Sequence, residues 1–259
     1  MTSYRKYLKN QTLPGMSEAE TDQMKGLPLP PVQKPYLEGA CLVDLVSPME
    51  FTLGRMPLID AIGGRKSRRK YTEEPLSLEE LSFLLWATQG VRKLIRSGLV
   101  TLRTVPSGGG MHPFETHLLV NRVEGVEPGI YRYLAIEHKL CQEVAGETQG
   151  VERIGEICNG QSFVGKGAVV FIWAVRPYRT EWRYGEDSLK DILISVGHIC
   201  QNLYLASESI GAGTCAIVAY QQEPLDDLIG VDGDEEIALY LAPVGKVVKK
   251  GDKKDRNLC

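Results

Sequence analysis

Pro106-Ser107-Gly108-Gly109-Gly110-Met111-His112-Pro113 runs three consecutive glycines into a strand-like stretch, Thr116 to Val123. Ordering glycine costs more backbone entropy than ordering any other residue. A triple therefore implies a tight turn, a positive φ, or backbone passing close to something flat or charged. About forty residues upstream, Arg65-Lys66-Ser67-Arg68-Arg69-Lys70 places five cations in six positions. A loop rich in backbone donors and a compact basic cluster together suggest a phosphate-bearing cofactor.

Further strand-like runs follow at 129–135, 138–143, 168–175 and 236–247. Gly129-Ile130-Tyr131-Arg132-Tyr133-Leu134 between turns suggests antiparallel neighbours. Ser77-Leu78-Glu79-Glu80 fits a capping box and opens a helix with Leu81, Leu84, Leu85 and Thr88 on one side, ending at Gly90. Residues 48–62 read as a short helix feeding the basic cluster, and 148–158 as an amphipathic one. Asp187 to Ile210 is the longest helix. It is apolar nearly all round, with Ile194, Tyr204 and Leu205 on the flank opposite Ile192, Val196 and Leu203, so it belongs in a core or a subunit interface. Residues 24–37 hold four prolines and read as an extended arm, either a loose linker or a segment packed on a partner. Three parts result: an arm over 1–47, a body over 48–248, and a basic tail over 249–259.

The 259 residues are 43% apolar and 24% charged with a net charge of -3, enough apolar content for a sizeable core. That charge disfavours wholesale nucleic-acid binding. Cysteines 41, 141, 158, 200, 215 and 259 show no C-x-x-C spacing, which points to a reducing cytoplasm rather than disulfides or zinc. No secretory signal and no membrane-length apolar run is visible. Neither a metal-binding spacing of histidines nor a G-x-S-x-G elbow occurs, so no metal is expected. His117 and His198 read as structural, and His112, beside the glycines, as the one histidine with a functional reading. Gly211-Ala212-Gly213-Thr214-Cys215-Ala216 matches G-x-G-x-x-A, but a helix precedes it and a β-like run follows. That is the reverse of the dinucleotide fold, and Gly211 reads as a helix C-terminal glycine.

Alternation over Arg65, Ser67 and Arg69 in extended backbone would put these three on one face, with Lys66, Arg68 and Lys70 toward water. A solvated basic turn is the competing reading of that cluster, and a plain strand-entry turn that of the glycines.

Seven ordered stretches together resemble the FMN-dependent nitroreductase superfamily, in particular its SagB-type dehydrogenase branch with the azoline oxidases. They are Leu27–Pro31, Arg65–Arg69, Leu78–Gly90, Pro106–Glu115, Gly197–Ala206, Gly211–Cys215 and Pro243–Lys246. The resemblance implies an α+β flavoprotein with a central, mainly antiparallel sheet flanked by helices. It further implies a homodimer formed through long helices, with FMN at the subunit interface. By position it assigns cofactor binding to Arg65, Lys66, Ser67, Arg69, Pro106, Ser107, Gly108, Gly109, Gly110, Ala216, Ile217, Val218, Gly245 and Lys246. Arg65 and Lys246 would hold the phosphate. The expected chemistry is two half-reactions through flavin N5. NAD(P)H or a substrate C–H is the donor, and a small nitro, quinone-like or other molecule the acceptor. Two alternatives stand beside it: a dehydrogenase of a peptide-derived azoline ring, and a flavin-binding module without turnover. Azoline oxidases of the branch use a Lys-Tyr pair where this chain has Arg183-Tyr184, the candidate catalytic residues. Arginine keeps its proton at working pH and makes a poor general base.

Overall fold

The computed structural model describes residues 20–146 and 149–248. The first nineteen residues of the arm, Thr148 at the expected helix start, and the basic tail lie outside the described residues.

Val169–Val175, the run Val-Val-Phe-Ile-Trp-Ala-Val, is buried at every position. Alternate side chains of a strand point to opposite faces, so a strand apolar throughout must be covered on both. Val169, Phe171, Trp173 and Val175 join one cluster with Leu81, Leu84, Ile192 and Leu203. Val170, Ile172 and Ala174 join a second cluster with Ile154, Ile157, Leu225 and Leu228. This strand, β7, lies inside a seven-stranded antiparallel sheet, between β4 and β9. The others are β1 (Leu42–Asp44), β4 (Phe114–Val120), β5 (Gly129–Leu134), β6 (Lys139–Ala145), β8 (Ala212–Thr214) and β9 (Ile237–Lys246). Their order is β1-β6-β5-β4-β7-β9-β8. A separate hairpin pairs β2 (Val91–Ile95) with β3 (Val100–Arg103).

Helices α2 (Leu78–Gln89) and α5 (Ser188–Ser209) cover one face of the sheet, and α3 (Gln149–Ile157) and α6 (Gln222–Ile229) the other. The capping box forms: Ser77 accepts from the Glu80 N–H and Glu80 from the Ser77 N–H. Residues 48–62 are not one helix. A single turn at Pro48–Glu50 and α1 (Leu58–Gly64) are separated by non-helical backbone that includes Pro57, the N-cap of α1. The preference of a residue before proline for extended backbone accounts for the break.

α5 buries Ile192, Val196, Ile199, Cys200, Leu203 and Ala206. Its opposite flank, with Leu189, Leu193, Ile194, Gly197 and His198, is exposed, and Leu193 and Ile194 are each about half exposed. His198, read as structural, therefore faces out of the chain. His117 is buried, bonded to Glu236 at 3.0 Å.

The proline-rich arm packs on its own chain. Polyproline backbone has no internal hydrogen bonds, and proline has no N–H, so its carbonyls need outside donors. Arginines supply them. Arg179 donates to the Pro31 carbonyl at 2.8 Å, Arg103 to Val32 at 2.9 Å, and Arg132 to Lys34 at 2.9 Å and Pro35 at 3.0 Å. Trp182 Nε1 donates to Leu27 at 3.1 Å. The end of the arm enters the sheet, since β1 pairs with β6.

Candidate functional site

The basic cluster leaves α1 and runs beside β8. Ser67 bridges Thr214 in parallel, and the Arg68 N–H donates to the Thr214 carbonyl at 2.8 Å. The backbone is thus extended and its side chains alternate. Arg65 and Ser67 converge on Tyr204 of α5. The Arg65 guanidinium lies 5.4 Å from the ring centroid, and Ser67 Oγ is 3.0 Å from Tyr204 Oη. The same phenol oxygen accepts the Ala216 N–H at 2.9 Å. One tyrosine therefore gathers three of the expected positions. Arg69 departs from the shared face and lies over the Phe163 ring at 5.9 Å. Lys66 and Lys70 are exposed, as alternation predicts. Arg68 is not: its side chain is 26% exposed and pairs with Glu208 at 3.3 Å. An acid on the adjoining turn of α5 captures it before water does.

Elsewhere the expected residues engage the protein itself. The Lys246 ammonium is bound to Glu80. Gly245 faces Tyr71, whose ring atoms would lie 3.0 Å from a Cβ there. Ile217 is buried and exchanges backbone bonds with Leu241, whereas Val218 is 73% exposed.

Gly108–Gly110 forms one 3-10 turn, with Gly109 at φ 57 and Gly110 at φ 70. Both values lie in the left-handed region that penalises a side chain. A Cβ at Gly109 would sit 2.6 Å from Tyr184 Oη and 2.9 Å from Arg183 Cδ, so the loop packs directly on the candidate catalytic pair. A Cβ at Gly110 would meet nothing within 4 Å. Ser107 Oγ accepts the His112 N–H at 3.0 Å and lies 3.4 Å from Ser195 Oγ, while Pro106 is exposed. Arg183 stacks over Tyr184 at 5.6 Å within α4 (Tyr178–Tyr184). His112 is buried at φ 45, and its pKa is pushed down to about 3 by burial and by the charges of Arg103 and Arg179.

Part of the expected residues thus forms two sets on opposite halves of α5, while Arg69, Val218, Gly245 and Lys246 stand outside both. The glycine loop, Arg183 and Tyr184 stand by Asp191 and Ser195, and Arg65, Ser67 and Ala216 stand by Tyr204. From Asp191 to Tyr204 the helix advances about 20 Å at ~1.5 Å per residue.

The nitroreductase family model matches residues 62–246. The chain belongs to the nitroreductase family. An assigned nitroreductase of Methanocaldococcus jannaschii is 33% identical over 74% of this chain and 92% of its own length. The trifolitoxin-processing protein TfxB of Rhizobium leguminosarum is 26% identical over 63% of this chain, which spans only 46% of TfxB. Among solved structures, one assigned as a nitroreductase from Anabaena variabilis matches with a TM-score of 0.68 at 22% identity, over 82% of this chain and 42% of that one. The Escherichia coli microcin synthetase McbBCD complex matches at 0.59 and 18%, over 94% and 87%. The NADPH:FMN oxidoreductase of Vibrio harveyi matches at 0.52 and 14%, over 74% and 69%. At these identities the structural matches establish the fold.

As a nitroreductase-family member the chain is an oxidoreductase with the family's antiparallel sheet and flanking helices. Sequence reasoning missed Tyr204, reading it as apolar flank. The available signal was the one tyrosine of that helix, a phenol hydroxyl amid aliphatic neighbours. Glu80 was read only as a cap, though it also takes Lys246. No described helix is long and apolar enough to cross a membrane, and no described residues cluster as a metal site.

Proposed function

We propose that this nitroreductase-family chain binds FMN between two copies of itself and passes two electrons from NAD(P)H or a substrate C–H to a small acceptor. The observation that carries the reading is the division of expected cofactor contacts between the two halves of α5. The helix midpoint falls near Gly197 and His198, on its exposed flank. Antiparallel pairing of two such helices about that point would bring one copy's Tyr204 half against the other's Gly108–Gly110 half. Exposed apolar side chains, Leu189, Leu193 and Ile194 on α5 and Ile59 and Ile62 on the adjoining α1, offer the pairing apolar area to bury.

The donor set fits a phosphorylated, flat group. Arg65 offers a guanidinium, Ser67 a hydroxyl, and Lys66 and Arg69 exposed positive charge. Gly110 offers backbone with open space before it. Lys246 would reach an anion only by releasing Glu80. Bound flavin would supply the hydride-accepting and hydride-donating centre. Tyr204 would hold Arg65 and Ser67 in place and tie them to Ala216. Arg183 and Tyr184, packed on Gly109, would line the other copy's side of the ring.

A reducing, cytoplasmic setting fits the free described cysteines. Cys158 and Cys200 are buried with pKa values pushed up to about 12 by burial, which makes them poor nucleophiles. A second reading, dehydrogenation of a peptide-derived azoline ring, is favoured by the similarity to TfxB and by Tyr184 lying against the glycine loop. Arg183 in the lysine position weighs against it.

The test is the visible spectrum of the purified protein, identification of any heat-released chromophore, and the molar mass in solution. Released FMN from a dimer supports the reading. A colourless protein that stays so after incubation with FMN defeats it. Tyr184→Phe separates the two readings: slowed oxidation of an azoline peptide without flavin loss supports the second, and unchanged kinetics leave Tyr184 structural.

A further inference from the structure

A cavity of about 470 Å³ opens between the arm, the β2–β3 hairpin, the glycine turn and α4. Its walls are largely apolar, with Pro30 and Val32 from the arm, Leu99 and Leu102 from the hairpin, and Met111 and Trp182 from the body. Among the described residues its charged lining is Arg96, Arg179 and Arg183, with no carboxylate.

Arg179 and its neighbours make this cavity electropositive. Arg179 and Arg183 sit one helical turn apart on α4, where like charges repel. Arg179 is 3% exposed, and its Nη1 has no hydrogen-bond partner, though Nη2 pairs with Glu115 and Nε holds the arm. Behind it, buried Arg103 bonds only neutral acceptors, namely Gln89 Oε1, Thr101 Oγ1 and the Val32 carbonyl. Two buried guanidinium groups thus share one buried carboxylate, Glu115. Arg103 carries the consequence, its pKa pulled down to about 10 by burial first and by the Arg179 charge next.

We propose that this cavity binds a small amphipathic carboxylate, with its hydrocarbon body against the arm and hairpin and its anionic end toward Arg183, Arg96 and the field of Arg179. A compact apolar body fits the walls, and one negative charge balances the surplus. The cavity shares Gly109, Gly110 and Arg183 with the proposed flavin site. Its use as the substrate pocket rests on that reading, whereas the binding does not.

The probe is 2-naphthoate, titrated calorimetrically into flavin-loaded and flavin-stripped protein beside neutral 2-naphthalenemethanol. The expected result is saturable binding of the carboxylate, at least about tenfold tighter than the alcohol and weakened by salt. Arg96→Gln with Arg183→Gln should weaken naphthoate by about tenfold or more and leave the alcohol nearly unchanged. Both arginines are exposed, so the fold should survive their loss. Leu102→Trp, also at an exposed position, should block both ligands by filling the cavity. Equal affinity for acid and alcohol, or carboxylate binding indifferent to both sets of substitutions, overturns the proposal. So does absence of binding to folded protein of either form. Binding to a protein that never takes up FMN would sink the flavin reading and leave this site standing. Full flavin loading without naphthoate binding would do the reverse.

Discussion

Replacing Gly109 and Gly110 by alanine, one at a time, separates backbone strain from packing in the glycine turn. Both residues have left-handed φ, 57 and 70, so each alanine carries a similar backbone penalty of about 1–2 kcal/mol. Their surroundings differ. At Gly110 the added methyl meets nothing within 4 Å. At Gly109 it would lie 2.6 Å from Tyr184 Oη and 2.9 Å from Arg183 Cδ and Nε. Overpacking of this kind costs about 1–3 kcal/mol more, toward the lower end here because both obstacles are ends of movable side chains. At about 2–4 °C per kcal/mol for a chain of this size, Gly110→Ala should lower Tm by about 2–8 °C and Gly109→Ala by several degrees further. Flavin loading should rank the other way. Gly110→Ala projects into the open space proposed for the ring edge, so its occupancy should fall well beyond what its stability loss explains. The assay is thermal unfolding of flavin-stripped protein, paired with the ratio of visible to ultraviolet absorbance after reconstitution. Equal Tm values for the two variants would refute the packing argument. A fully loaded Gly110→Ala protein would refute the ring placement.

Arg65→Ala should raise the Kd for FMN, measured by flavin fluorescence quenching, by about tenfold or more through loss of a charge-assisted contact. Purification of that variant with full flavin would remove Arg65 from the phosphate role. Tyr204→Phe keeps the ring under Arg65 but loses the bonds to Ser67 and Ala216. Urea unfolding should report about 1–2 kcal/mol lost, with weaker flavin binding alongside. An unshifted midpoint would show that the hydroxyl organises nothing. His112 is held neutral in the fold, with its pKa down at about 3 against an ordinary 6.5. The unfolded chain therefore binds the extra proton first, and the stability due to His112 is present above pH 6.5 and lost as pH falls toward 3. Between pH 6 and pH 4 the loss should be about 2 kcal/mol. His112→Asn, which tolerates the positive φ, should flatten that part of the pH profile; an unchanged slope would assign it to other groups.

By itself, the sequence determined what local pattern can encode. The alternation and length of the apolar runs placed β4, β5, β6, β7 and β9 within a few residues. Ser77 and Glu80 announced the start of α2, and the three glycines left a tight turn, a positive φ or a close backbone approach open, of which the turn and the positive φ are present. These are properties of neighbours in the chain, set by sterics and by hydrophobic period. Tertiary structure decided which distant groups meet. Tyr204 reaches Ser67 across 137 positions, and Arg132 reaches the arm across 98. Whether Arg68 faces water or Glu208, and Lys246 an anion or Glu80, depends on which acid the packing of α2 and α5 brings within reach. The sequence left the arm open between a loose linker and a segment packed on a partner, because proline-rich backbone has no bonds of its own. Its order comes from arginines far along the chain, and no period of hydrophobicity records a donor that arrives only when the sheet has formed.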